Sequence, residues 1–122
     1  MNSNNHTAVS ADSKQIVLDF ITALNEENFD AAKAQADDNM TFTGVMGSRN
    51  GAEAYFKDMK NMRLKYDIQK TFSDKDDVCL FYNITMSGVM IFSCGWYHVK
   101  NGKIQSIRVV FDPRPLLEQS KK

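Results

Sequence analysis

Apolar residues recur at three- and four-residue spacing in the first half of the chain and at alternate positions in the second half. Ile16, Val17, Phe20, Ile21 and Leu24 form one helical stripe, and Asp12 with Gln15 three positions later makes a capping box ahead of it. That pattern predicts a first helix over about 13 to 25. After the polar turn Asn25-Glu26-Glu27, Asn28 is placed to cap a short second helix running from Phe29 to Ala36 through strong helix formers. Met40-Thr41-Phe42-Thr43 then reads as a strand, closed by a glycine-bearing stretch from Gly44 to Gly51. Asn50 and Glu53 repeat the capping-box spacing, and a third helix over about 52 to 62 points Tyr55, Met59 and Met62 along one side.

From Lys65 onward the period is two, in runs of β-branched and aromatic residues broken at Ser73 to Asp76, Ser87-Gly88 and Asn101-Gly102. Four consecutive antiparallel strands follow from those breaks. Helices first and strands afterwards predict an α+β domain whose helices cover one face of the sheet. The run 77 to 86 alternates Val78, Leu80, Tyr82, Ile84 and Met86 with Cys79, Phe81, Asn83 and Thr85, one set fully apolar and the other mixed. A small domain has one core, so a second apolar face implies a partner subunit. The expectation is a homodimer through the convex sheet face, with Leu80, Tyr82, Ile84 and Met86 turned away from the helices and Cys94 and Trp96 beside them.

With 122 residues, 43% of them hydrophobic, the chain can bury a core without disulfides or metal. Fifteen basic residues balance fifteen acidic ones, which leaves no field to attract nucleic acid or an anionic membrane. Lys57, Lys60, Arg63, Lys65 and Lys70 cluster, but Asp58 and Asp67 interrupt them and no aromatic run alternates with them, so they read as a solvated face. Residues 1 to 12 are polar, which predicts a disordered tail with no secretory signal, and no stretch approaches the length of a membrane span. Two cysteines, Cys79 and Cys94, suit structural thiols in a reduced, cytoplasmic setting. The only histidines are His6 and His98, too few for a zinc site, and neither a metal nor a cofactor is expected.

The stretch Ile16 to Asn25, the following Asn28-Phe29-Asp30 and Ala36-Asp37-Asp38, and the terminal Gly102-Lys103-Ile104 through Phe111-Asp112 together resemble the nuclear transport factor 2-like superfamily. That superfamily includes ketosteroid isomerase, limonene epoxide hydrolase and the SnoaL-like cyclases. The resemblance covers about 13 to 115, leaves 116 to 122 as a C-terminal tail, and implies three helices wrapped by a curved antiparallel sheet around an apolar cone. It also implies where chemistry would sit. The isomerase tyrosine falls on Phe20, its base on Thr43, its aspartic acid on Gly95 and a supporting tyrosine on Met59. For the epoxide hydrolase, Val109 stands where a carboxylate should, its arginine and second aspartate fall on Asn83 and Thr85, and its tyrosine and asparagine fall on Thr41 and Thr43. None of these side chains acts as a base near neutral pH.

What the resemblance leaves on the concave side is a set of neutral groups, Thr41, Thr43, Asn83 and Thr85, able to bond a ligand hydroxyl or carbonyl, although threonines are also ordinary sheet formers. Tyr55 and Tyr97 donate into a pocket or sit in the core with their hydroxyls at its rim. His98 is the natural general-base candidate, and its face depends on the hairpin at Ser87-Gly88. A two-residue turn puts Phe92, Cys94, Trp96 and His98 on the face of Asn83, whereas a three- or five-residue loop puts Ser93, Gly95 and Tyr97 there; the resemblance favours the longer loop. Arg108 and Asp112 share a face of the last strand and suit a structural ion pair. The functional expectation is a domain that binds a small, mostly apolar molecule, with Phe20, Thr41, Thr43, Tyr55, Met59, Asn83, Thr85, Gly95, Tyr97, Val109 and Phe111 around it. The alternatives are a SnoaL-like isomerase, cyclase or hydrolase with a non-standard site, and a dimeric protein-interaction domain.

Overall fold

In the computed structural model, which describes residues 3–120 and the side chains of residues 13–118, the two periodicities become two layers. Helix α1 (Ser3–Asn25) buries Val17, Phe20, Ile21 and Leu24 along one stripe. It begins ahead of the expected start near residue 13, so Asp12 and Gln15 lie within it rather than capping it, and Gln15 Nε2 donates instead to Asp19 Oδ1 at 2.8 Å. Helix α2 (Phe29–Ala34) is capped by Asn28, whose side-chain oxygen accepts from the Ala31 amide at 3.2 Å. Helix α3 (Ala52–Met62) buries Ala52, Tyr55, Phe56 and Met59. Its N-cap is Gly51, at φ 94, without a side-chain bond; the Asn50–Glu53 box does not form because Asn50 is held in a strand.

The strands are β1 (Ala36–Gly44), β2 (Gly47–Asn50), β3 (Lys65–Asp74), β4 (Asp77–Met86), β5 (Val89–Lys100) and β6 (Lys103–Phe111). Strand β2 lies inside the stretch expected to be loop, folded back on β1. The sheet order is β2-β1-β6-β5-β4-β3, a curved, open cone wall. All neighbours are antiparallel except β1 and β6, which run parallel, so the sheet is mixed. A short helix, α4 (Arg114–Ser120), occupies most of the segment expected to be a tail; Asp112 accepts from the Arg114 amide at 3.0 Å just before it.

Hairpin register decides which side chains face the helices. Met86 pairs with Val89 and Asn83 with Phe92, so Ser87-Gly88 is a two-residue turn, with φ of 52° and 79° as the primed hairpin turns require. The longer loop favoured by the resemblance is therefore incorrect. On β4 the buried set is Val78, Leu80, Tyr82 and Ile84, facing the helices, and on β5 it is Ile91, Ser93, Tyr97 and Val99. The placement of Leu80, Tyr82, Ile84 and Met86 on the outer face is overturned, because the fully apolar set of β4 is the one that can cover α1, burying roughly 1.5–3 kcal/mol per large side chain. The outer face carries the mixed set, Cys79, Phe81, Asn83 and Thr85, beside Phe92, Cys94, Trp96 and His98. A bulge at Gln69 in β3 brings Phe72 to this outer face opposite Cys79. There Phe72, Phe81 and Phe92 form a row of ring contacts at 6.0 and 6.1 Å. Arg108 lies over the Trp96 ring at 5.7 Å and Asp112 pairs with Arg114 at 2.7 Å, so the expected Arg108–Asp112 pair is not made.

Candidate functional site

The inner face of the sheet and α3 enclose a cavity of about 590 Å³, within the range that holds drug-sized ligands. Its walls come from every layer: Phe42 on β1, Tyr55 and Met59 on α3, Tyr66 on β3, Tyr82, Ile84 and Met86 on β4, Ser93 and Tyr97 on β5, and Ile107, Val109 and Phe111 on β6. The mouth is framed by the β1–β2 hairpin with Val45 and Met46, by Met62, and by Leu116 and Leu117 of α4.

Of the expected site residues, Tyr55, Met59, Tyr97, Val109 and Phe111 line this space. Phe20 stands one layer back as an aromatic hub, with ring centroids 6.4 Å from Tyr55, 6.0 Å from Phe56 and 6.2 Å from Tyr97. Gly95 is likewise behind the wall: a Cβ there would sit 2.9 Å from Tyr97 Cε1 and 3.2 Å from the Tyr82 hydroxyl. Thr41, Thr43, Asn83 and Thr85 are not in the cavity. On β1 the inward positions are Met40 and Phe42, which leaves both threonines exposed, and on β4 the apolar alternation turns Asn83 and Thr85 outward. On each strand a one-residue difference in register moves the whole set to the opposite face.

All four tyrosines of the chain meet in the cavity. The Tyr82 and Tyr97 hydroxyls converge over Gly95, 3.2 and 3.0 Å from where its Cβ would lie. Tyr66 and Tyr82 also touch edge to face at 5.1 Å. Burial, first, raises each of these hydroxyls above the usual phenol range, with neighbouring tyrosines adding to it at Tyr55, Tyr66 and Tyr97 and Cys94 at Tyr82, so they are neutral hydrogen-bonding groups and not bases. Tyr66 was missed in the sequence because its run was read only as strand, and Tyr82 because its whole apolar set was assigned to the outer face; the signal for Tyr66 is its parity with Ile68.

At the mouth, Arg49 Nε meets Asp58 Oδ2 at 2.7 Å, with both side chains partly exposed. Among the described residues Asp58 is the one carboxylate that lines the cavity. Its spacing from Tyr55, Met59 and Met62 on α3 marked that face, but in the sequence it read only as a break in a basic run. His98 is on the outer face, its Nδ1 2.9 Å from Asp77 Oδ1, which also accepts from Trp96 Nε1 at 2.8 Å. Those two bonds lower the Asp77 carboxyl below its ordinary value. Among the described residues no group of three or more His, Cys, Asp or Glu could hold a metal ion, and no helix is long and apolar enough to cross a membrane.

The sequence profile of the SnoaL-like domain matches residues 17–107, most of the cone. The chain belongs to the SnoaL-like domain family. This SnoaL-like domain is also 50% identical to a nuclear transport factor 2-like protein of unknown function from Cytophaga hutchinsonii, over 86% of this chain and 94% of that one, with a TM-score of 0.85. An LEH-like epoxide hydrolase from M. tuberculosis is similar at 20% identity over 89% of each chain and a TM-score of 0.79. A putative ketosteroid isomerase from Kribbella flavida is similar at 9% identity over 84% of this chain and 79% of that one, with a TM-score of 0.78. At those identities the last two show a shared fold. No curated protein matches this SnoaL-like domain.

Proposed function

We propose that this SnoaL-like domain binds a small, mostly apolar molecule in its cone, without acid–base chemistry at the depth of the pocket. The observation that carries the reading is the open 590 Å³ cavity whose only deep polar groups, among the described residues, are the four tyrosine hydroxyls and Ser93. Apolar walls supply affinity and a few hydroxyls supply orientation. Nile red, a neutral dye that fluoresces in apolar surroundings, tests this on the full chain. It should bind with saturable emission, and Val109→Trp, which fills the wall beside Ile107 and Phe111, should abolish that binding; emission that persists unchanged in the variant refutes the cavity as the site.

A second reading rests on Asp58. A carboxylate at the mouth is a group that can remove a proton, and epoxide hydrolases and isomerases are named among the structural neighbours. Its ion pair with Arg49 at 2.7 Å favours a structural role that ties the β1–β2 hairpin to α3. Asp58→Asn separates the two: unchanged ligand affinity and no loss of any turnover support the binding domain.

The assembly expected from the sequence is retained as part of this proposal, with its surface corrected. The outer face bears exposed Phe72, Met90, Phe92, Trp96 and Val110, which are apolar groups needing cover. A second copy of the chain, placed by a two-fold axis, matches such a face to itself.

A further inference from the structure

The β1–β2 hairpin borders the mouth of the cone as an edge element, since β2 has β1 as its single neighbour in the sheet and all four of its residues are exposed. Its base is anchored. The Gly51 amide donates to the Met40 carbonyl at 2.7 Å, and the Phe42 ring packs on Tyr55 with centroids 5.3 Å apart. Phe42 stands opposite Arg49 in the β1–β2 register, and Asp58 lies three residues after Tyr55 on α3. Cross-strand partners share a sheet face, and residues three apart share a helix face, so the Arg49–Asp58 pair at 2.7 Å joins the same two elements beside the ring contact. Among the described residues it is the one ion pair between the hairpin and α3. Beyond it the hairpin tip carries Val45 and Met46, both exposed and both at the mouth.

Resting on the apolar-ligand reading above, we propose that the β1–β2 hairpin is a flap over the cone and that the Arg49–Asp58 ion pair is its latch, setting how fast ligands enter and leave without setting how tightly they bind. A ligand that fills such a cavity has most of its surface covered, so it passes through the mouth, and the movable part of the rim governs its rate. The hairpin tip is that part. Strands β4, β5 and β6 are paired on both sides, whereas swinging the tip outward breaks one half-exposed ion pair and uncovers side chains that are already in water. The latch makes the same contact with the cone full or empty, so it has no differential interaction with the two states and multiplies entry and exit by one factor. That factor is modest, because the Arg49 and Asp58 side chains are 49% and 36% exposed and a pair in such surroundings contributes little.

Stopped-flow mixing of the full-length protein with Nile red reads both rates. Asp58→Asn and Arg49→Gln should each raise the entry and exit rates together, by about two- to fivefold, with Kd unchanged. The charge-swapped Arg49→Asp/Asp58→Arg protein should return both rates toward those of the parent, which general loosening of the rim would not do. Raising salt from about 0.05 to about 0.5 M should speed exchange more in the parent than in Asp58→Asn, because an exposed pair is screened. Asp77→Asn, which removes an ion pair on the outer face, should leave both rates unchanged. Parental rates in Asp58→Asn, or faster exit with a Kd weakened in proportion, overturn the latch and leave the apolar cavity standing. Absence of saturable Nile red emission from the unmutated protein overturns both.

Discussion

Replacing Phe92 with glutamate should turn a dimer into a folded monomer. Phe92 stands on the outer sheet face with 59% of its surface exposed and stacks on Phe81 at 6.1 Å. A phenylalanine presents on the order of 200 Å², so a partner sheet would cover roughly 120 Å² of it. At about 25 cal/mol per Å² that is ~3 kcal/mol per copy and ~6 kcal/mol for the two copies an isologous contact buries. Converted at about 1.4 kcal/mol per tenfold, the dissociation constant rises by about four orders of magnitude before the cost of an unpaired buried charge is added. Sedimentation velocity at micromolar concentration reads the assembly, and thermal melting reads the fold. The expected pattern is a dimer for the unmutated protein and a monomer with a nearly unchanged melting temperature for Phe92→Glu. Ile84→Glu should instead lose the fold, because Ile84 faces the cavity and the core. An unmutated monomer, or a Phe92→Glu dimer, refutes the reasoning.

Three further outcomes follow from the same geometry. Because the four tyrosines titrate above their ordinary value near 10 only while folded, the unfolded chain releases their protons first and stability falls as pH rises past that point; phenolate absorbance should therefore stay flat until it appears together with loss of structure, and a smooth titration of the native protein near pH 10 contradicts their burial. Gly95→Ala should lower the melting temperature by an amount equivalent to about 1–3 kcal/mol, the usual cost of overpacking, and a melt identical to the parent's contradicts the close approach of Tyr97. Asp77, whose carboxyl is lowered by bonds to Trp96 and His98, contributes stability at higher pH that disappears as pH falls below its ordinary value of 3.8; the gap in melting temperature between the parent and Asp77→Asn should narrow across that acid range, and a constant gap tells against the bonds.

The helices and the four long strands were legible because each announces its period and its breaks: Asn28 capped α2 as its type predicts, and Ser87-Gly88 and Asn101-Gly102 stood at the turns. What was not legible was parity. Strand β4 offers an apolar set and a mixed set, and only the closed structure says which one meets α1; reading it from a distant resemblance sent Thr41, Thr43, Asn83 and Thr85 inward and Tyr82 outward. Tyr55, Met59, Tyr97, Val109 and Phe111 lie along the cavity wall. The bulge at Gln69 and the short strand β2 depend on pairing partners far along the chain, and no local signal carries them.

The division of aromatic residues between the two faces of one sheet makes the molecule its own two-channel instrument. Its single tryptophan, Trp96, lies on the outer face, while all four tyrosines line the interior. Tryptophan emission thus reports what touches the outside of the cone, and tyrosine absorbance reports what enters it. Assembly and ligand uptake can be followed separately in one cuvette, without a label.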